Sequence, residues 1–543
     1  MVIRIIIRNF AGKKENMEKE TRRQGVEESR RQGDKETRRR CFVLILFLAG
    51  WLLTQAQERS LFDSLAYRAE LQATVSGGDH NPLWLNASKY GLSSLKNTNG
   101  YLRGAIERPM SLDDGRKWGV GYGLDVAVAA GFTSTIIVQQ AFAEVRWLKG
   151  TLTVGAKEQP MELKNQALSS GSQTLGINAR PVPQVRLALP DYWTIPHTKN
   201  WLALKGHIAY GKTTDDGWQK DFTNKESRYT EGTLYHSKAG YLKVGPKNFT
   251  VEMGVEMGCQ FGGTSFIRQN GEMVALDNGS GLKSWWNAFM PGGSGSDETG
   301  STYQNADGNQ MGSWVIRVNY DTDNWKLSAY ADHYFEDHSS MFLLDYDGYG
   351  SGNEWNEKKD RRYFFYGLKD IMVGVELNLK KCDWLDAVVL EYLCTKNQSG
   401  PVYHDHTQLI STHLGGMDDY YNHHLYTGWQ HWGQVMGNPL YLSPLYQDNT
   451  IEVGNNRFTA WHLGLSGHPL KNLDYRVLTT WQTGYGTYHK PYLPERHQFS
   501  MLAEACYRLM QGWSVKGALG FDSGKILGDN VGVQLTIIKQ GVL

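Results

Sequence analysis

Long apolar runs are what this sequence most conspicuously lacks. After Cys41–Leu53 (CFVLILFLAGWLL) no segment approaches about 18 consecutive apolar residues, which excludes a helical membrane span from the remainder. Charge of one sign is missing as well. Fifty-seven Lys and Arg against 56 Asp and Glu leave a net charge of +1, so there is no basic field to attract nucleic acid. Cysteine is scarce: Cys41, Cys259, Cys382, Cys394 and Cys506, with no CxxC and no zinc-ligand spacing. Two of the last four stand in strand-like runs and read as small apolar residues, with pairing among the four left open. Neither HExxH nor GxSxG occurs to place a catalytic zinc or a serine nucleophile. What is present instead is 60 Gly, 29 Tyr and 18 Trp at a mean hydropathy of -0.48. That combination is too polar for helical spans and unusually aromatic for a soluble enzyme, and it suits a porin-like wall.

The one apolar run follows Arg38, Arg39 and Arg40 and precedes Thr54-Gln55-Ala56, the pattern of a cleaved secretory signal over residues 41–56. At 13 residues it is shorter than the roughly 20 that a spanning helix needs. Cys41 opens the run instead of closing it, against lipoprotein processing. Residues 1–40, with reiterated RRQG and ETRR fragments, are too hydrophilic for a core, and Met17 is an alternative start. Residues 57–543 are left for the folded body.

Within that body strict alternation recurs. Val120, Tyr122, Leu124, Val126 and Val128 share one face, opposite Gly119, Gly121, Gly123, Asp125 and Ala127. Phe249 to Met257 alternates with Thr250 to Gly258 in the same way. A soluble sandwich would alternate too, so the position of the rings decides. In Trp314–Tyr320, Tyr475–Trp481, Phe499–Tyr507 and Trp513–Phe521 the apolar face begins and ends with an aromatic. Six to eight residues at about 3.3 Å, tilted near 40°, put the rings about 15–20 Å apart, close to the girdle spacing of an outer-membrane barrel.

Strand starts are expected near residues 67, 101, 118, 137, 151, 184, 201, 234, 249, 313, 325, 363, 385, 457, 473, 498, 513 and 530, about 18 in all, as an even-numbered barrel requires. Connections alternate between short ones (148–150, 245–248, 321–324, 382–384, 469–472, 510–512) and long ones (261–312, 337–362, 397–456). Short turns facing the periplasm and long loops facing outside place both termini in the periplasm. The expected fold is therefore all-β, a transmembrane antiparallel barrel. The inward face would carry Asp125, Glu144, Arg146, Lys157, Glu252, Glu256, Arg317, Asp332, Glu376, Arg476, Glu504 and Lys516. Both signs occur, which favours cross-lumen pairing and an occluded lumen over a charge-selective pore.

Several strings break the alternation: Pro82–Gly91 (PLWLNASKYG), Asn178–Arg186 (NARPVPQVR), His333–Ser339 (HYFEDHS), Glu391–His404 and Tyr420–Pro439 (YYNHHLYTGWQHWGQVMGNP). Together they resemble the Wzi capsule-assembly family of outer-membrane proteins, in a Bacteroidetes-type form, over nearly all of the exported chain. The resemblance implies an 18-stranded outer-membrane barrel with an occluded lumen, a lectin that helps fasten capsular polysaccharide to the surface of a Gram-negative cell. Enterobacterial members also carry a periplasmic helical bundle, for which Gln57–Ala66 and Pro190–Asn200 offer little length.

Tyr420, Tyr421, His423, His424, Tyr426, Trp429, His431 and Trp432 supply ring faces for the C–H side of a pyranose and polar tips for its hydroxyls. The same residues would equally pack a long loop into the lumen. Asn178, Arg180, Pro181 and Pro183 read as structural, the prolines stiffening a strand entry and Arg180 donating to carbonyls or carboxylates. His333, Glu336, Asp337 and His338 could be gathered for acid–base or metal chemistry, yet His333 and His338 fall on opposite faces of a strand. No catalytic residue, metal or cofactor is expected, and the body is expected to be a monomer in outer-membrane lipid. A diffusion channel and a barrel hydrolase of lipid or glycan stand as alternatives.

Overall fold

The computed structural model describes residues 64–290, 308–336, 344–345, 362–363, 370–398 and 418–543. The charged extension, the signal segment, Asp337, His338 and the string beyond Gln398 lie outside the described residues.

Alternation of β-branched and aromatic residues with small or polar ones gives eighteen antiparallel strands. The first nine are β1 (Ala66–Gly77), β2 (Thr98–Arg108), β3 (Trp118–Ala130), β4 (Ile136–Trp147), β5 (Gly150–Ala156), β6 (Gln184–Thr194), β7 (Leu202–Lys212), β8 (Leu234–Val244) and β9 (Phe249–Phe261). The second nine are β10 (Asn309–Asp321), β11 (Trp325–Glu336), β12 (Ile371–Leu379), β13 (Ala387–Cys394), β14 (Arg457–Leu470), β15 (Leu473–Gly486), β16 (Pro491–Arg508), β17 (Trp513–Gly524) and β18 (Asn530–Val542). Each pairs with its neighbours in sequence. β1 closes the ring on β18, with Ala66 opposite Val542 and Gly77 opposite Val531. The barrel sheet itself is therefore left without an open edge.

Burial in β1 settles which way the two faces point. Leu71 and Val75 are 53% and 61% exposed, while Glu70, Gln72 and Thr74 between them are 5%, 4% and 1% exposed. Greasy residues outside and polar residues inside are the inverse of a soluble sandwich and belong in a bilayer. Exposed rings stand at both ends of this outer face, Trp481, Phe521 and Trp461 at one level and Trp384, Tyr507 and Trp513 at the other. The described residues include three short α-helices, α1 (Leu83–Asn86), α2 (Asp216–Phe222) and α3 (Leu282–Phe289), and none is long and apolar enough to cross a membrane.

Two strand starts differ from expectation by more than four residues. Arg362–Tyr363 pairs with Leu344–Asp345 in a separate hairpin, and the twelfth wall strand begins at Ile371. β16 starts at Pro491, seven residues before the expected Gln498, because its hairpin with β15 continues beyond the apolar band. Pro190 to Thr194 belong to β6 through an irregularity in its pairing with β7, leaving only residues 195–201 as a turn and no room for a helical bundle there. Cys259, Cys382, Cys394 and Cys506 are all free thiols.

Candidate functional site

The inward charges do pair, but mostly with neighbours along the wall and not across the lumen as expected, because nearby strands already bring opposite signs together. Arg103 Nε lies 2.8 Å from Asp125 Oδ1, Arg317 Nη2 is 2.8 Å from Glu376 Oε2, and Arg476 Nε is 2.9 Å from Glu504 Oε1. Lys157 Nζ donates to both oxygens of Glu144 at 2.7 Å. Other inward acids are taken by the segment 157–183, which has almost no regular structure and so must find side-chain partners for its backbone. Its Lys164 Nζ lies 2.7 Å from Asp332 Oδ2, in a pair 2% and 0% exposed. Ser169 Oγ and Ser170 N donate to the two oxygens of Glu391 at 2.6 and 2.8 Å. Ser172 Oγ reaches Glu256 at 3.1 Å, and the Gln173 amide reaches Asp332 at 3.1 Å. These partners stand on β9, β11 and β13, so the segment, rooted on β5 and β6, runs across the interior to another part of the wall.

The strings that broke the alternation meet on this segment. In α1 (Leu83–Asn86) the Leu83 amide donates to Asp522 at 3.0 Å and Trp84 Nε1 to Thr480 Oγ1 at 3.1 Å. The Ser88 amide donates to Asn178 Oδ1 at 3.0 Å, and Asn178 Nδ2 donates in turn to the Val435 carbonyl at 3.1 Å. One apolar cluster joins Trp84, Leu168, Ala179, Tyr420, Tyr421 and Trp429.

Five of the eight candidate saccharide residues are buried there: Tyr420, Tyr421, Tyr426, Trp429 and His431. Trp429 Nε1 donates to the Thr174 carbonyl at 2.8 Å, and its ring stacks on Tyr235 at 5.7 Å between centroids. Gly258 on β9 makes room for it, since an added Cβ would lie 2.3 Å from the Trp429 ring. Tyr421 stacks on Tyr441 at 3.9 Å and donates its hydroxyl to the Gln173 carbonyl. His431 Nδ1 is 2.9 Å from the Arg180 carbonyl, while Nε2 accepts the Thr214 amide at 3.1 Å, which assigns a neutral ring protonated at Nδ1. Burial lowers its pKa accordingly, as it lowers that of His424 and, well below the usual range, that of half-buried His423.

The remaining ring, Trp432, is half-buried and lies under the guanidinium of Arg180, 4.4 Å from its carbon. Its Nε1 donates to Thr214 Oγ1 at 3.2 Å, and His424 is exposed at one edge while its ring stacks on His423 at 4.3 Å between centroids. Arg180 donates to the hydroxyls of Thr133 and Ser134, at 2.6 and 3.3 Å, where carbonyls or carboxylates were expected, because the β3–β4 turn presents its side chains there. Pro181 and Pro183 are half-buried at the entry to β6. His333 pairs with Trp314 on the outward face and places Nδ1 2.9 Å from the Asp370 carbonyl, whereas Glu336 faces inward and accepts the Tyr334 hydroxyl and the Tyr421 amide at 2.6 Å. Those two do not converge. Among the described residues no group of three His, Cys, Asp or Glu is placed to hold a metal.

Sequence reasoning missed residues 161–177, which are neither periodic nor aromatic. The hydroxyl-rich run Ser169-Ser170-Gly171-Ser172-Gln173-Thr174 was the available signal, since inward acids need such donors.

No protein-family model matches the chain, and no curated protein matches it. Among solved structures it is similar to Wzi of Escherichia coli, an outer membrane protein involved in group 1 capsule assembly and described as a carbohydrate-binding β-barrel. That likeness has 14% identity and a TM-score of 0.51, over 87% of this chain and 83% of the other. OpdQ and OprD of Pseudomonas aeruginosa align at 9% identity each, with TM-scores of 0.44 and 0.41, over 89% and 90% of this chain and 100% and 98% of theirs. At such identity the first likeness speaks for the architecture alone, and with the inverted faces of the wall it makes this chain an outer-membrane β-barrel.

Proposed function

We propose that the barrel is a surface lectin that assists assembly and attachment of capsular polysaccharide in a Gram-negative outer membrane, with a lumen closed to solute flow. The observation that carries this reading is segment 157–183, which leaves the wall at β5, returns at β6 and is tied by Lys164–Asp332 and Ser169/Ser170–Glu391 to β11 and β13, six and eight strands around from β5. A diffusion channel has no use for a crossbar fixed by a buried ion pair and by hydrogen bonds to a buried carboxylate. The architecture shared with a carbohydrate-binding barrel supports the saccharide half of the proposal.

Of the candidate residues, Trp432 and His424 are the ones left open to a ligand. A ring face beside the Arg180 guanidinium and the Thr214 hydroxyl offers stacking together with hydrogen-bond donors. The buried rings would then hold this surface in shape. Pull-down of the refolded barrel with capsule from its own strain, against foreign capsule, tests the proposal. Selective binding that Trp432→Ala weakens is expected, together with little steady conductance in planar bilayers. Clear conductance steps without capsule binding would replace this reading with a diffusion channel, and turnover of lipid or glycan would replace it with an enzyme.

A further inference from the structure

Three inward arginines of the wall have an acid built into the register beside them: Arg103 stands opposite Glu70, Arg317 opposite Glu252 and Arg476 opposite Glu504. Arg186 on β6 has none. It points into the barrel, since Val185 and Leu187 on either side of it are 51% and 61% exposed on the outer face. Its register partners are Thr153 on β5 and Ala209 on β7, and Ser237 on β8 is next in the row. Small uncharged residues on both sides leave a long cationic side chain without a counter-charge in the sheet.

The crossbar does not supply one either. Glu162, the acid whose charge reaches Arg186, is held by Lys205, and Lys157 at the root of the crossbar is held by Glu144. The Arg186 guanidinium forms no ion pair and no hydrogen bond with any described residue. Unlike Nε of Arg180, which is buried without a partner, its nitrogens face space that a water-sized molecule can enter.

That space is a cavity of about 100 Å³ between the crossbar and the wall, with Glu162 and Thr174 on one side and Arg186, His207, Ser237 and Tyr241 on the other. Several waters fit in such a volume, and so does one small oxyanion. Of the charged side chains on its lining, Lys157 and Glu162 are neutralised by their own partners. Arg186 and Arg180 remain, the latter donating to hydroxyls, which leaves the cavity with an excess of positive charge. A guanidinium withdrawn from bulk water is costly without a counter-charge. Water hydrates it without neutralising it, whereas an oxyanion does both, because the planar fork meets two oxygens at once. The Ser237 hydroxyl, 3.3 Å from His207 Nε2, adds a hydrogen-bonding group on the same side of the cavity.

We propose that this cavity binds one small oxyanion, a phosphate or the carboxylate of an acidic sugar, on the fork of Arg186. The site is separate from the Trp432 surface and does not depend on the lectin reading. An anion bound there ties the root of the crossbar to β6, as Lys164–Asp332 ties its far side to β11. The purified barrel is dialysed to equilibrium against radiolabelled inorganic phosphate, and in a second arm against radiolabelled glucuronate, at fixed ionic strength in chloride. About one anion per wild-type chain is expected, with affinity about tenfold or more weaker in Arg186→Gln, the equivalent of one charged hydrogen bond lost. Arg186→Lys keeps the charge and loses the fork, and should bind between the two. Arg496→Gln removes an exposed arginine from β16 and should bind as the wild type does. Heat-modifiable migration reports a folded barrel in each variant, and Arg186→Lys carries the test if Arg186→Gln does not fold. Uptake of phosphate alone assigns the site to a free inorganic anion, and uptake of glucuronate assigns it to the acidic group of a saccharide. A folded wild type that takes up neither anion overturns the proposal, as does uptake that both Arg186 variants leave unchanged or that Arg496→Gln abolishes equally.

Discussion

Lys164→Ala perturbs the crossbar at its most buried tie. The ammonium and its partner Asp332 are 2% and 0% exposed at 2.7 Å, so neither charge has water to fall back on. Asp332 also accepts the Gln173 amide at 3.1 Å, and its Oδ1 has no partner. Deleting the cation leaves a carboxylate in the interior with one hydrogen bond, a loss of about 3–5 kcal/mol for breaking one side of a buried pair. At about 1.4 kcal/mol per tenfold, the detached segment becomes about two to three and a half orders of magnitude more populated. Two assays read this: the temperature at which the folded band converts on electrophoresis should fall, and single-channel recording should show brief openings absent from the wild type. Adding Asp332→Asn to Lys164→Ala removes the orphaned charge and should recover part of the loss, so that the two changes are not additive. Unchanged heat resistance and conductance in Lys164→Ala, or a double variant as damaged as the sum of the singles, would refute the reasoning.

Trp429→Ala empties a fully buried site and should cost about 3–5 kcal/mol, seen as protease sensitivity of residues 418–456, whereas Trp432→Ala should change stability by about 0.5 kcal/mol or less. Gly258→Ala pushes a methyl group into the Trp429 ring and should destabilise by about 1–3 kcal/mol in the same assay. Cys382 is exposed in a short turn and Cys259 is buried beneath α3, so a membrane-impermeant maleimide should modify Cys382 in the purified barrel, spare it on intact cells, and leave Cys259 unmodified in both. The pKa values of His423, His424 and His431 are depressed by burial, so the folded loop keeps these rings neutral while the unfolded loop takes up protons as pH falls below about 6.5. Their contribution is therefore full above that pH and declines below it, and limited proteolysis of the loop should be faster at pH 5 than at pH 8.

The wall was legible in the sequence because lipid and lumen impose opposite demands on successive residues, and Val120 to Val128 or Phe249 to Val255 obey both. Legibility failed where those demands stop. Beyond the apolar band Pro491–His497 of β16 are exposed on both faces apart from half-buried Tyr492, so nothing in the alternation marks Pro491 as the start of β16. Tyr363 opens an aromatic run with strong β-propensity, but register belongs to the partner strand, and β11 pairs with β12 only from Met372 opposite Asp332 onward. α3 was missed for a different reason: Lys283, Ser284 and Asn287 do share one helical face, but two turns are too short a stretch for helical periodicity to stand out within a long connection. The interior strings were legible as ordered and ambiguous as to purpose. A segment without regular structure needs rings to pack and amides or hydroxyls to satisfy its backbone, and a saccharide asks for the same inventory. Burial separates the two uses, and the 0% exposure of Trp429 against the half-buried ring of Trp432, three residues on in the same motif, is a distinction that composition does not contain.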